Sequence, residues 1–402
     1  MTGIVGQDPF SRSGTLGAFL SKGIDDNADA NAITIASDES VTISGDLVPS
    51  SQFSNRNVIY NGGMQIYQRG AGSPGTSNGG FALDRWRYST WGSPGVVDVT
   101  QDSDVPSGQG FSSSLKMDVT TADTADAADS NGISMKFEGK DLQRFAKGVS
   151  GAKASTVSFW VKSPKTGVHI VWLYDNDNNR QISKSYTVSS ANTWENHSVT
   201  FPGDTTGAWG NDVNESAQLT FVTMAGNDAS SGTLATSWES YTPANRAVGQ
   251  VNCMDHVDNN FYLTGVQWEV GENATPFEHQ SYGDELRRCQ RYYFKITNET
   301  GGENTFGVGV MDGTTACQWY TNFPVTMRIA PTAIETSGTA GDYSLRATHT
   351  ATCNGVPAHY HCTKQSAAGS AGIASGTYFT SRGGGILRAV DNDAYLAWSA
   401  EL

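Results

Sequence analysis

Apolar and polar residues alternate in short runs along most of this chain. In "STVSFWVKS" (155–163), Val157, Phe159 and Val161 fall on one side while Ser158 and Lys162 fall on the other. That is the period of a half-buried strand. The same texture recurs in "VVDVT" (96–100), "SSLKMDVT" (113–120), "ISMKFEG" (133–139), "VHIVWLY" (168–174), "WENHSVTF" (194–201), "AQLTFVTM" (217–224) and "NFYLTGVQWEV" (260–270). About eight such strands, parted by Gly, Asn and Asp turns, predict an all-β fold built on a jelly-roll β-sandwich. Upstream, "AITIASDESVTISGDL" pairs Ile33 and Ile35 with Val41 and Ile43 around a tight "SDES" turn. A lone hairpin is marginal in water, so residues 1–54 are expected to form an attachment or stalk segment that needs a partner surface.

One segment breaks the alternation. In "TPFEHQSYGDELRRCQRYYFK", Asp284 can cap a helix on which Leu286, Cys289, Gln290 and Tyr293 recur at i, i+3, i+4 and i+7. Pro276 stops the last sandwich strand before it. The expected organisation is therefore a jelly roll over 55–283, a linker helix over 284–295 and a second, smaller β domain over 296–402. In that last part "FPVTMRIAPT" (323–332) reads as β texture and "AAGSAGIASG" (367–376) as an exposed glycine-rich loop.

Composition narrows the function classes. Forty-five glycines in 402 residues suit many tight turns, and the net charge of -14 with no Lys/Arg-rich block repels phosphate backbones and anionic membranes. No nucleic acid and no membrane insertion is expected. The opening "MTGIVGQDPFSRSG" lacks the basic and apolar regions of a secretory leader. Five cysteines, odd in number and sparse for the length, argue against a disulfide framework and for folding in a reducing cytoplasm.

Glu278, His279, Asp284 and Cys289 have the makings of a nucleophilic site, but Cys289 shares an apolar stripe with Leu286 and Tyr293, where a thiol stays protonated and inert. Pro276, Leu286, Cys289 and Tyr293 are accordingly assigned to a structural junction. "DNDNN" (175–179) opens like a calcium loop, yet Arg180 and Tyr186 stand where an EF-hand needs glycine and a bidentate glutamate, which leaves a hairpin turn. "GVGVMDG" (307–313) misses dinucleotide spacing, and no phosphate-loop or nucleophile-elbow motif occurs. No cofactor is implied.

His359 and His361 in "HYHC" are two apart and would share a strand face, so imidazoles from three chains could meet on a threefold axis around a metal. Aromatics in polar, turn-like settings are the remaining signal: Trp91 in "STWGSPG", Trp209 in "GAWGND", Trp238 in "ATSWESY", and Trp319 with Tyr320 in "CQWYTN". Exposed rings beside Asp and Asn suit a glycan, stacking on the apolar face of a pyranose while polar groups take its hydroxyls.

Several strings in order, "NRNVIYNGGMQIYQRG" (55–70), "FALDRWRY" (81–88), "VSFWVKS", "TWENHSVTFPGDTTGAW" and "FYLTGVQWEVGENATPFEHQSYGDELRRCQRYY", resemble the carbohydrate-binding-module-like domain of tail-fibre and other appendage proteins of tailed bacteriophages, marine ones especially. The C-terminal "FPVTMRIAPT" and closing "SAEL" are similar to the domain that often ends such proteins. The resemblance implies a homotrimeric virion protein, assembled in the host bacterial cytoplasm, whose jelly roll binds host-surface polysaccharide. Residues 1–54 would contact other virion proteins. Its matching residues Asn61, Gly62, Asp84, Arg85, Trp86, Pro276, Glu278, Tyr282 and Gln290 read as structural. A capsid fibre or decoration protein, a baseplate protein without glycan recognition, and a polysaccharide depolymerase are the alternatives. No carboxylate pair is marked for hydrolysis, so a non-enzymatic role is expected.

Overall fold

The alternation of Val157, Phe159 and Val161 with Ser158 and Lys162 becomes the two faces of a strand: the first three are fully buried, whereas Lys162 is half-buried. The computed structural model describes residues 33–35, 41–43, 54–70, 80–298, 303–374 and 379–402. Residues 1–53 and 54–402 form separate compact units. In the first, β1 (Ile33–Ile35) and β2 (Val41–Ile43) pair antiparallel, with Ile33 opposite Ile43. The rest of the 1–54 segment, including the "SDES" turn, lies outside the described residues apart from its last position.

The second unit opens with a jelly-roll β-sandwich of two antiparallel sheets. In spatial order the larger sheet holds β13 (Glu239–Ser240), β10 (Arg180–Val188), β9 (Gly167–Asp175), β12 (Glu215–Ala225), β7 (Ser130–Glu138), β4 (Arg87–Trp91) and β3 (Gly80–Phe81). The smaller holds β11 (Glu195–Phe201), β8 (Ser155–Lys162), β14 (Asn260–Val270), β6 (Ser114–Thr121) and β5 (Val96–Asp102). Their facing sides bury one continuous core, in which Trp268 packs on Phe145 at 4.7 Å and Phe137 at 5.0 Å. Such offset and edge-on ring pairs add to the burial of apolar area that drives the two sheets together.

The helix departs from expectation at both ends. α1 spans Tyr282–Gln290, and its cap is Ser281, whose hydroxyl accepts from the Asp284 amide at 3.2 Å and donates to the Asp284 carboxylate at 2.6 Å. Asp284 thus sits at the third helical position, where both its amide and its carboxylate bond the capping hydroxyl. Tyr293 lies beyond the helix, opening β15 (Tyr293–Thr297), so it cannot belong to the helical stripe.

Beyond α1 the chain builds a second core around Trp319, Tyr343, Leu345, Leu387 and Trp398. A three-stranded sheet joins β15, β24 (Tyr395–Ser399) and β18 (Glu335–Thr336). A seven-stranded sheet follows in the order β20 (Thr350–Thr352), β19 (Tyr343–Arg346), β23 (Gly384–Ala389), β16 (Thr305–Asp312), β17 (Ala316–Asn322), β22 (Ser366–Gly372) and β21 (Ala358–Cys362). Two expectations fail here. Residues 367–372 of the small-residue run expected to be a loop lie in strand β22, where a Cβ on Gly369 would stand 2.4 Å from the Trp319 ring of the neighbouring strand; 375–376 lie outside the described residues. Conversely, "FPVTMRIAPT" forms no strand; Met327 is buried and Arg328 donates to the carbonyls of Ala400 (2.7 Å), Glu401 (2.6 Å) and Val213 (2.8 Å), tying the chain end to the sandwich.

Candidate functional site

A cleft of about 470 Å³ lies on the outer side of the smaller sandwich sheet, lined by aromatic rings and by amide and hydroxyl side chains, with no Asp, Glu, Lys or Arg. Its floor begins with β8: the buried Val157, Phe159 and Val161 force Ser158 and Trp160 outward. On the neighbouring β14 the register slips between Thr264, opposite Trp160, and Gln267, opposite Ser158. Gly265 makes that bulge, at φ +60°, a conformation that strains other residues. A Cβ there would come within 2.6 Å of Phe111 and 3.0 Å of Trp160, so a side chain would close the floor.

The wall is the segment after β14. Phe277, His279 and Phe111 pack ring to ring at 4.9–5.2 Å. Two buried or half-buried carboxylates latch this wall. Glu278 accepts the backbone N–H groups of Asn55 (2.6 Å), Arg56 (2.7 Å) and Asn57 (3.0 Å). Glu269 accepts the Thr275 amide at 2.8 Å and its hydroxyl at 2.7 Å. Gln267 Oε1 takes the Glu278 N–H at 2.8 Å. With that many fixed partners, the rings are held before any ligand arrives, which cuts the ordering cost of binding. Asn196 on β11, opposite Trp160, forms the other side with Ser158 and Gln109 at hand. Rings for a sugar's C–H face and amide or hydroxyl groups for its O–H groups thus converge in one volume of ligand size.

Of the quartet that looked catalytic, His279 lines the cleft and the other three are spent on structure. Glu278 holds backbone amides, and Asp284 accepts from the hydroxyl of the capping Ser281 and pairs with Arg287 at 2.6 Å. Cys289 is fully buried, which pushes its thiol well above the usual value, the opposite of what a nucleophile needs. A second Cys/His approach, Cys253 Sγ to His169 Nδ1 at 4.0 Å, is equally inert: burial pushes the thiol up to about 12 and the imidazole down. All five cysteines are unpaired and buried.

The five aromatics singled out in sequence do not meet. Trp91 leans on Trp172 at 6.3 Å on the outer face of the larger sheet, under the Arg246 guanidinium at 4.6 Å. Trp209 is 7% exposed and packs against Phe145 and Trp268; Trp238 donates to the Pro202 carbonyl at 2.8 Å. Both cover the Lys147 ammonium, at 5.6 and 5.2 Å, so their polar neighbours serve an internal cation. Trp319 is 1% exposed in the second core and offers no face to a ligand, while Tyr320 next to it on β17 points the other way and is 46% exposed. "DNDNN" is the turn from β9 to β10, and Lys147 holds its Asp175 at 2.6 Å.

The histidine pair is also undone by backbone. A bulge inserts Tyr360, so His359 opposes Gly369 and His361 opposes Ala368, adjacent positions with opposite faces. His359 instead lies 3.7 Å from the Cys362 thiol. No group of three or more His, Cys, Asp or Glu among the described residues could hold a metal.

At the junction, Pro276 lends its carbonyl to Arg56 at 3.1 Å, and Leu286 is half-buried. Tyr293 takes the Arg69 guanidinium on its ring at 3.7 Å and donates to Glu335 at 3.1 Å. The matching strings from 55–70 and 81–88 form one buried knot: Asn61 donates to the carbonyls of Ile66 (2.8 Å) and Asp84 (3.1 Å), and Trp86 donates to that of Asn61 (3.0 Å). Arg85 pairs with Glu401 and stacks on Tyr292 at 3.6 Å.

Sequence reasoning missed Trp160, Phe111 and Phe277. The signal for Trp160 was present: it is the one large aromatic on the polar side of "STVSFWVKS". Phe111 and Phe277 come from segments more than 150 residues apart, which no local pattern connects.

No family model matches the chain, and no curated protein matches it. Similar solved structures include the enzymatically active domain of tailspike protein 4 of bacteriophage CBA120 (15% identity, TM-score 0.31), which aligns over 54% of this chain and 21% of that one. Another is TmCBM61 in complex with beta-1,4-galactotriose (13% identity, TM-score 0.28; 54% of this chain, all of that one). A third is the family 11 carbohydrate-binding module of Clostridium thermocellum with a beta-1,3-1,4-mixed-linked tetrasaccharide (12% identity, TM-score 0.27; 50% and 97%). At such scores these likenesses carry no weight for function, which is left to the chain's own residues.

Proposed function

We propose that this chain is a glycan-binding, non-enzymatic appendage protein of a bacteriophage virion, a tail fibre, that attaches to host-surface polysaccharide. The single observation that carries the binding role is the preorganised cleft of Trp160, Phe111, Phe277 and His279 with Ser158 and Asn196. Its lining contains no Asp or Glu, so the paired carboxylates of a glycosidase have no place there, in support of binding without cleavage. The virion setting rests on the resemblance of residues 55–295 and on an N-terminal hairpin that is too small to stand alone. In this reading residues 1–54 anchor the protein to other virion components and three chains associate, so weak sites act together and avidity rises by roughly 10² to 10⁴. The test is retention of the purified full chain on a glycan array and on host envelope polysaccharide. Retention without release of reducing sugar is expected; no retention would refute the binding role, and released sugar the non-enzymatic one.

A further inference from the structure

The C-terminal domain has a groove of its own, with a different chemistry from the cleft. In its seven-stranded sheet, Leu345, Leu387 and Trp319 bury the inner face, which turns their neighbours outward. Register sets Arg346 opposite Ile386, Ile386 opposite Val308, and Val308 opposite Tyr320, a single outward row. Val308 is 58% and Tyr320 46% exposed, an unusual cost in water for the centre of a sheet. Over this row lies a groove of about 580 Å³, with Val308 and Ile386 as floor and Arg346, Thr348 and Thr380 at the rim.

Arg346 is the feature that selects an occupant. Its side chain is exposed, and among the described residues no carboxylate or carbonyl takes a hydrogen bond from its guanidinium. Arg388 on the neighbouring β23, by contrast, is paired with Glu303. In a chain of net charge -14, a free guanidinium over an apolar floor invites an anion with a carbon skeleton.

We propose that this groove is a second saccharide subsite, specific for a carboxylate-bearing sugar. The planar fork of Arg346 takes the carboxylate through paired N–H···O bonds. Val308 and Ile386 receive the C–H face of the ring, and the Thr380 hydroxyl receives an O–H group. An acidic peptide fits less well, because β19, β23 and β16 each already have a strand on both sides, leaving no backbone ladder for strand addition. The subsite does not depend on the Trp160 cleft.

The probe is an α-1,4-linked galacturonate trisaccharide, compared with its fully methyl-esterified form, titrated calorimetrically against the full chain. The acid form should bind, the ester should not, and Arg346→Gln should weaken binding by about 10- to 100-fold with an unchanged melting temperature. Added salt should weaken binding in parent but hardly in the variant, and Trp160→Ala should leave it unchanged. Equal binding of the ester, an unaffected Arg346→Gln variant, or equal Arg346-dependent binding of an oligoglutamate would overturn the proposal. So would sedimentation showing that Val308→Asp dissociates an oligomer in which the groove does not bind the acid.

Discussion

Replacing Lys147 by Met tests whether the aromatic, acid-rich end of the sandwich is built for stability or for ligand. The ammonium is 3% exposed, and it contacts Asp175 at 2.6 Å and Asp204 at 3.1 Å, themselves 0% and 4% exposed. It also donates to the carbonyls of Thr206 (2.9 Å) and Gly207 (2.7 Å). Methionine keeps the apolar stem under Trp209 and Trp238 but removes the charge. Asp204 keeps Arg180 at 2.8 Å; burial alone would raise its carboxyl, yet the bonds from Arg180, Thr206 and Lys147 hold it below the ordinary range. Asp175 is left with Asn178 only. Stranding a buried carboxylate in this way costs about 3–5 kcal/mol. For a unit of this size that lowers the melting temperature by on the order of 10 °C in a circular-dichroism melt. Adding Asp175→Asn should recover part of the loss, because the stranded charge is then gone. A Lys147→Met melt within about 1 °C of the parent would refute the reasoning, since the ammonium would then be shown to balance its own desolvation and no more.

Other outcomes follow from the same packing. Glu138, 1% exposed, accepts from Arg291 (2.8 and 2.6 Å) and Tyr292 (2.6 Å) across the junction, so Glu138→Ala should cost about 3–5 kcal/mol and expose the 282–293 region to limited proteolysis. His169 is fully buried between Tyr186 and Phe261, and burial lowers its pKa below 6.5; the unfolded chain therefore binds the proton more readily, and stability present above about pH 6.5 falls as the pH drops below it. His169→Phe should flatten that acid limb of the stability curve, measured by urea titrations between pH 7 and 5. Cys289→Ala should leave saccharide binding intact, and a thiol reagent should label Cys289 only after denaturation, since burial holds the thiol protonated.

How far the fold was legible follows from which interactions are local. Strand alternation in "STVSFWVKS" and the pairing of Ile33–Ile35 with Val41–Ile43 depend on near neighbours, and both are written in the sequence. Asp284 as cap places the helix start too late, whereas Ser281, three residues earlier, caps the helix and bonds Asp284 from there. Long-range demands were not legible. Gly369 of strand β22 has no room for a side chain beside Trp319, about 50 residues away, and composition alone made the strand look like a loop. The same is true of the site. Trp209 and Trp238 sit among polar residues because those residues surround an ammonium contributed by Lys147, and the bulge at Tyr360 reverses the histidine that follows it. The cleft was half written: Trp160 stood out on a polar face, but its partners Phe111 and Phe277 arrive from the flanks of two other strands.

The most direct measurement of the central claim is the affinity of Trp160→Ala for the polysaccharide that retains the parent chain, by calorimetric titration alongside Trp91→Ala. Losing a central stacking ring from a preorganised cleft costs on the order of 2 kcal/mol, so Trp160→Ala should bind about 30-fold more weakly, with its melting temperature nearly unchanged and Trp91→Ala binding as the parent does. Full affinity in Trp160→Ala, or loss of affinity only in Trp91→Ala, would place the glycan elsewhere and contradict the assignment of the cleft.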